Sequence, residues 1–242
     1  MTQRVWDPYL TASDTEHLSQ TPDRRVGMGK KPALLLVDLY RAVFGDKPEP
    51  LMEAIKTWPS SCGMAGWTAL PHIQSLIAGA RAAGVPVVHI TMLADSGMVG
   101  WNESIHASSS RGGRAPLDEA ALDRKRRGAD IVDEVAPIPG EVVLRKTAPS
   151  AFWGTPLAAH LNFLGVDTLF IAGESTSGCV RASVVEAVSY RYRVQVVEEC
   201  VFDRHEATHA MNLFDLHQKY ADVIPLEDAL VALKSFAPGH AG

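Results

Sequence analysis

The sequence predicts a three-layer α/β/α fold, a Rossmann-like, doubly wound, mostly parallel sheet of six strands. Three observations predict it. Short apolar runs recur along the chain, uniformly apolar as strands buried on both faces are. Stretches of helical periodicity separate them, giving the β-α-β alternation of a doubly wound sheet. Glycine or proline marks many of the joints.

The elements follow in order. Residues 1–31 are polar and irregular and read as an N-terminal arm, packed on the surface or on a neighbouring subunit; residues 32–242 form the main domain. Ala33–Val37 is the first buried strand and ends at Asp38. Residues 68–83 repeat apolar side chains at helical spacing (Ile73, Leu76, Ile77, Ala80), Gly84 stops them, and Pro86 opens a second strand to Ile90. Residues 92–130 are rich in Gly, Ser and charge, with little periodicity. A loop of that length in a compact domain is a candidate lid or subunit contact. Val142–Leu144 is a short strand leading to Lys146, 155–164 a helix, and Thr168–Ala172 a strand closed by Gly173. A helix from about Gly178 to Tyr192, a strand Val194–Val197, a helix 206–220, a strand Val223–Ile224 and a helix 226–236 complete the chain.

Composition narrows the function. An apolar fraction of 46% with 21% charged residues is that of a globular protein. A net charge of −5 argues against a nucleic-acid partner, and the run Arg124, Lys125, Arg126, Arg127 reads as a solvated surface stretch. No apolar run approaches the length of a membrane span, and the N-terminus lacks the apolar core of a signal peptide, so no membrane partner is expected. The three cysteines, Cys62, Cys179 and Cys200, have neither disulfide-framework nor zinc-site spacing. A reducing cytoplasm is the expected compartment, where Cys179 stays a free thiol.

Doubly wound sheets bind ligands at the carboxyl ends of their strands, and Asp38, Lys146 and Cys179 all fall at such ends. Cys179 closes the turn Gly173-Glu174-Ser175-Thr176-Ser177-Gly178 and opens a helix. The positive end of the helix dipole there favours thiolate, and the free N–H groups of such a turn suit an oxyanion. The pattern alone also fits a small cysteine packing the turn. Asp38 suits a loop anchor or a general acid/base, and Lys146 a solvated strand end or a charge partner. Together a thiol, a carboxylate and an ammonium can form one nucleophilic site. Cys62 and Cys200 have no such surroundings and read as packing residues.

The strand ending in Asp38, the stretch Lys146-Thr147-Ala148-Pro149-Ser150-Ala151-Phe152-Trp153-Gly154-Thr155 and the cysteine turn resemble the isochorismatase-like hydrolase superfamily. Within it they are most similar to the amidases of N-carbamoylsarcosine and maleamate. The resemblance spans roughly residues 28–228 and is strongest from Val142 to Ile224, including Asp203-Arg204-His205 and Asn212 to Leu216. It implies Cys179 as nucleophile, Asp38 as proton-transferring acid/base and Lys146 as third member of a triad. It also implies a cis peptide at Glu174–Ser175, with the N–H groups of Ser175 and Cys179 forming an oxyanion hole. Family members lacking the cysteine cleave vinyl ethers, so Cys179 points to amide chemistry. Nicotinamidases of the family carry a metal site soon after the first aspartate. Here Tyr40, Arg41, Phe44 and Asp46 follow Asp38 with no histidine before His72, so no metal and no cofactor are expected.

Arg204 matches a substrate-carboxylate contact of the family, a role that suits its planar fork; the competing reading is an ion pair with Asp203 or Glu199. Tyr40, Phe44, Phe152, Trp153, Glu174 and Thr176 are candidate substrate contacts, the aromatics being equally open to core packing. His205 and His209 read as surface or helix residues. The expected activity is ammonia release, through a thioester, from a small N-carbamoyl or linear amide acid. An uncharged ureido compound such as biuret, or a non-catalytic binding domain, are the alternatives. The resemblance implies a homotetramer or homodimer.

Overall fold

The computed structural model describes residues 4–22, 25–93 and 119–237. Six strands form one sheet: β1 (Pro32–Val37), β2 (Val87–Met92), β3 (Val142–Lys146), β4 (Thr168–Glu174), β5 (Arg193–Phe202) and β6 (Asp222–Ile224). Their order is β3-β2-β1-β4-β5-β6, and every strand pairing is parallel. The chain leaves β1 toward β2 on one side and returns to β4 on the other. The sheet's topological switch point therefore lies between β1 and β4, where a doubly wound fold places its ligand crevice.

Strand alternation sorts the apolar side chains into two cores. Leu34 and Leu36 of β1 face one, with Ile73, Leu76 and Ile77 of the long helix α4 (Met64–Ala82) and Ala229 and Leu233 of α9 (Leu226–Ser235). Ala33, Leu35 and Val37 face the other. There they meet Leu157 and Leu161 of α6 (Leu157–Phe163), Val184 and Ala187 of α7 (Arg181–Ser189), and Leu213 and Leu216 of α8 (Glu206–Lys219). Every residue of β1 is buried, as its apolar run requires.

Three expectations need correction. The N-terminal arm is not irregular: residues 12–20 form α1 (Ala12–Gln20), started by a capping box in which Thr11 and Asp14 bond reciprocally. It packs on its own chain. Trp6 is buried against Phe214 and His217, and buried Asp222 accepts the N–H groups of Val26 and Gly27. Two short helices, α2 (Arg41–Phe44) and α3 (Leu51–Thr57), follow β1 where no element was expected. The stretch 92–130 is not all loop, because residues 119–128 form α5 (Glu119–Gly128), which carries the exposed basic run 124–127. The remainder of that expected lid or contact, 94–118, lies outside the described residues.

Candidate active site

β1 ends in a reversal at Asp38, whose φ of +56° lies in the left-handed region. Aspartate tolerates that region better than most side chains. The reversal coincides with full burial of the carboxyl group. β4 comes alongside at Gly173, paired with Val37. Gly173 has φ +125°, and a Cβ there would sit 1.9 Å from the Val37 carbonyl oxygen. Glycine is thus required where the two strands deliver the site. The Glu174–Ser175 peptide is cis, as the resemblance implied. The chain then makes one π-helical turn, Thr176–Val180, before α7 begins.

These ends bring Asp38, Lys146 and Cys179 together. Lys146 Nζ lies 2.8 Å from Asp38 Oδ2. It also donates to Cys179 Sγ at 3.2 Å and to the Ala148 carbonyl at 3.1 Å. Two of the ammonium's donors are thereby engaged in hydrogen bonds, and the contact with Asp38 is an ion pair. The Cys179 thiol and the Asp38 carboxyl also act on each other electrostatically, both being in contact with the one ammonium. Neither carboxylate oxygen has a partner in full directional geometry, so the carboxyl keeps acceptor capacity despite the close ammonium.

Burial dominates the electrostatics. It pushes the Asp38 carboxyl above the ordinary aspartate range, with Lys146 and the thiol pulling the other way. Burial would lower the Lys146 ammonium, but Asp38 and Cys179 outweigh it and hold the pKa above the ordinary lysine value. The Cys179 thiol is pushed up by burial and then by the Asp38 charge, against the pull of Lys146. The half charge that a helix end contributes is outweighed by burial beside a full carboxylate. The resting cluster is a thiol with an acceptor beside it.

The remaining candidates divide. Tyr40 is buried, and its phenol is raised by burial and then by the charges of Asp38, Glu174, Cys179 and Cys62, so its oxygen shares their electrostatic neighbourhood. Glu174 is buried next to Cys62, whose thiol donates to its carboxyl at 3.5 Å. Burial first, then Asp38, pushes Glu174 up to about 8. Thr176 is fully buried and bonds His209 Nδ1 at 2.8 Å. Arg204 pairs with neither Asp203 nor Glu199. Its Nε donates to the Ser61 carbonyl at 3.1 Å and its Nη2 to the Ser60 carbonyl at 2.6 Å. Neither bond uses the end-on Nη1/Nη2 edge of the guanidinium in full. Phe44 is core, packed edge-on against Trp67 and Phe202. Phe152 is likewise buried, stacked on Tyr190, because it points into the α6–α7 layer. Trp153, its neighbour, points out and is 58% exposed.

A cavity of about 670 Å³ is lined in part by Cys62, Phe202, Asp203, Arg204 and His209, and not by Asp38, Lys146 or Cys179 themselves. Three of these bond residues at or just after the cis peptide: Cys62 to Glu174, His209 to Thr176 and Asp203 to Ser177. The sequence reading missed the places of Cys62, Asp203 and His209 in this wall. Cys62 lies 112 positions from Glu174 and no spacing connects them; Asp203 at the end of β5 was the available signal. His205 is exposed at the start of α8, as expected, while His209 is half-buried. Among the described residues no cluster of His, Cys, Asp or Glu is arranged to hold a metal, and no helix is long and apolar enough to cross a membrane.

Comparison with known proteins agrees with this geometry. The isochorismatase domain model matches residues 32–228. Maleamate amidohydrolase of Pseudomonas putida is 37% identical over 88% of this chain and 92% of its own length. N-carbamoylsarcosine amidase of an Arthrobacter species is 33% identical over 83% and 70%. Among solved structures, a cysteine hydrolase from Pseudomonas syringae superposes with a TM-score of 0.72 at 18% identity, over 89% of this chain and 99% of that one, a likeness of fold. With the family's domain matched across the whole sheet, the chain belongs to the isochorismatase domain family.

Proposed function

We propose that this protein is a cysteine amidohydrolase that releases ammonia from a small N-carbamoyl or linear amide acid. The observation that carries the reading is the contact of one buried ammonium with both the Asp38 carboxylate and the Cys179 sulfur. Asp38 takes the thiol proton and the sulfur attacks the amide carbon. Lys146 stays charged and stabilises whichever anion is present. The tetrahedral oxyanion sits at the N–H groups of Ser175 and Cys179, each such donor being worth roughly 3 kcal/mol of barrier. Asp38 returns its proton to the nitrogen as the C–N bond breaks, and ammonia leaves. Water, deprotonated by Asp38, then attacks the thioester, and the sulfur regains the proton.

Arg204 takes the substrate carboxylate through its end-on edge, already held in place by Ser60 and Ser61. The similarity to the maleamate and N-carbamoylsarcosine enzymes supports this choice over an uncharged ureido substrate. The test is ammonia release from maleamate, N-carbamoylsarcosine and biuret. Turnover of an amide acid is expected, with Arg204→Ala raising its KM about 10- to 100-fold, the loss of a charged hydrogen bond. Preferential turnover of biuret, unaffected by that substitution, would move the assignment to ureido compounds.

A further inference from the structure

We propose that Asp203 is a positioning residue, fixing the turn that carries Cys179. The inference rests on the reading of Cys179 as nucleophile. Asp203 stands immediately past β5, and its carboxylate divides its acceptors between two segments. Oδ2 accepts the Ser177 N–H at 2.9 Å and the Ser177 hydroxyl at 2.6 Å. Oδ1 accepts the N–H of Arg204 at 2.8 Å. One side chain therefore joins the middle of the five-residue turn to the backbone of the residue proposed to hold the substrate.

The neighbouring turn residue is gripped from the same side, through the bond between Thr176 Oγ1 and His209 Nδ1. From the other side Ser183 Oγ donates to the Cys179 carbonyl at 2.7 Å and accepts from the Ala151 N–H at 2.9 Å. The turn is thus pinned on both flanks, and Asp203 supplies the only carboxylate among these bonds. It acts by position rather than charge. Asp203 is among the main charges that act on Cys62, Glu174 and His209, whereas those leading at the Cys179 thiol are Asp38, Lys146 and Glu174.

The experiment measures alkylation of Cys179 by iodoacetamide, resolved by peptide mass, beside kcat and KM for ammonia release. Asp203→Ala is expected to slow both alkylation and kcat about 10- to 100-fold, with KM within about threefold, as sub-ångström to ångström misplacement does. The pH midpoint of alkylation stays where it is in the wild type. Asp203→Asn keeps an acceptor for Ser177 and is expected to restore most of both rates. Alkylation of Asp203→Ala at the wild-type rate overturns the proposal, as does an Asp203→Asn protein equally slow and shifted in pH midpoint. Should Asp203→Ala fail to fold, Ser177→Ala removes one of the two bonds and is expected to slow alkylation about three- to tenfold, with an unchanged rate counting against the proposal. If the wild type cleaves no amide while alkylation falls as described, the positioning role stands and the reaction is wrong. If amide turnover is normal in all variants, the positioning role alone is wrong.

Discussion

At Asp38 burial and charge pull in opposite directions. Desolvation raises its pKa while the Lys146 ammonium, 2.8 Å away, lowers it. The net direction is upward, so the acid limb of the kcat/KM profile is expected above the ordinary aspartate range, near pH 4. Because the three groups titrate together, that limb belongs to the cluster rather than to one residue. Asp38→Asn is expected to lower kcat by about 10²- to 10⁴-fold by removing the base. It also leaves Lys146 buried without its counterion, at a cost of about 3 kcal/mol or more in stability. Glu174 offers a separate test. Its pKa is raised to about 8 by burial and by Asp38, so the folded state holds a proton that the unfolded chain releases near pH 4.5. Stability therefore falls as pH rises from about 4.5 to about 8 and levels off beyond. Glu174→Gln removes that dependence. Its melting temperature should exceed the wild type's by a margin that widens up to about pH 8, which thermal melts across pH would measure; a margin constant with pH contradicts the assignment.

At the scale of elements, the site depends on two strand ends meeting and one turn leaving them. Gly173 allows the approach of β4 to β1, and the space for a Cβ is taken by the Val37 carbonyl. Gly173→Ala combines a strained φ with a backbone collision, so a loss of about 3 kcal/mol or more is expected, with turnover impaired as Asp38 and Cys179 separate. A melting temperature within about 1 °C of wild type would show that the strands can part freely. These ends were readable in the sequence because the first apolar run stops at Asp38, the third two residues before Lys146 and the fourth at Gly173. The helices α1, α2 and α3 were not read. Two of them, α2 and α3, are only four and seven residues long, too short to display a periodicity. The third, α1, buries no residue and so has no apolar stripe; only its Thr11–Asp14 cap was visible.

For the whole molecule, the arm closes one flank of the sheet. Trp6 is 4% exposed between Phe214 and His217, and the Arg4 guanidinium lies 4.5 Å over its ring while bonding Val223 and Glu198. Trp6→Ala is expected to cost about 3–5 kcal/mol, roughly 10 °C in melting temperature, while kcat holds, because the Trp6 ring packs on Phe214 and His217 of α8 rather than on Asp38, Lys146 or Cys179. The fold class was legible because it follows from hydrophobic pattern, and Asp38, Lys146 and Cys179 stood out as candidates by lying at or near strand ends and matching the family's motifs; the strand order was not read. The wall of the cavity was not. Cys62, Asp203 and Arg204 reach it from distant positions, and only the folded chain shows that Arg204 spends two donors on the Ser60 and Ser61 carbonyls. The burial of Phe44 and Phe152 was not legible for the same reason: which face of the sheet receives an aromatic is decided by packing.

The most direct measurement is the rate of ammonia release by Cys179→Ala on the amide that the wild type cleaves fastest. With the nucleophile removed and the rest of the pocket kept, kcat is expected to fall by about 10³-fold or more. A variant that keeps a tenth of wild-type turnover would contradict catalysis through the sulfur of Cys179.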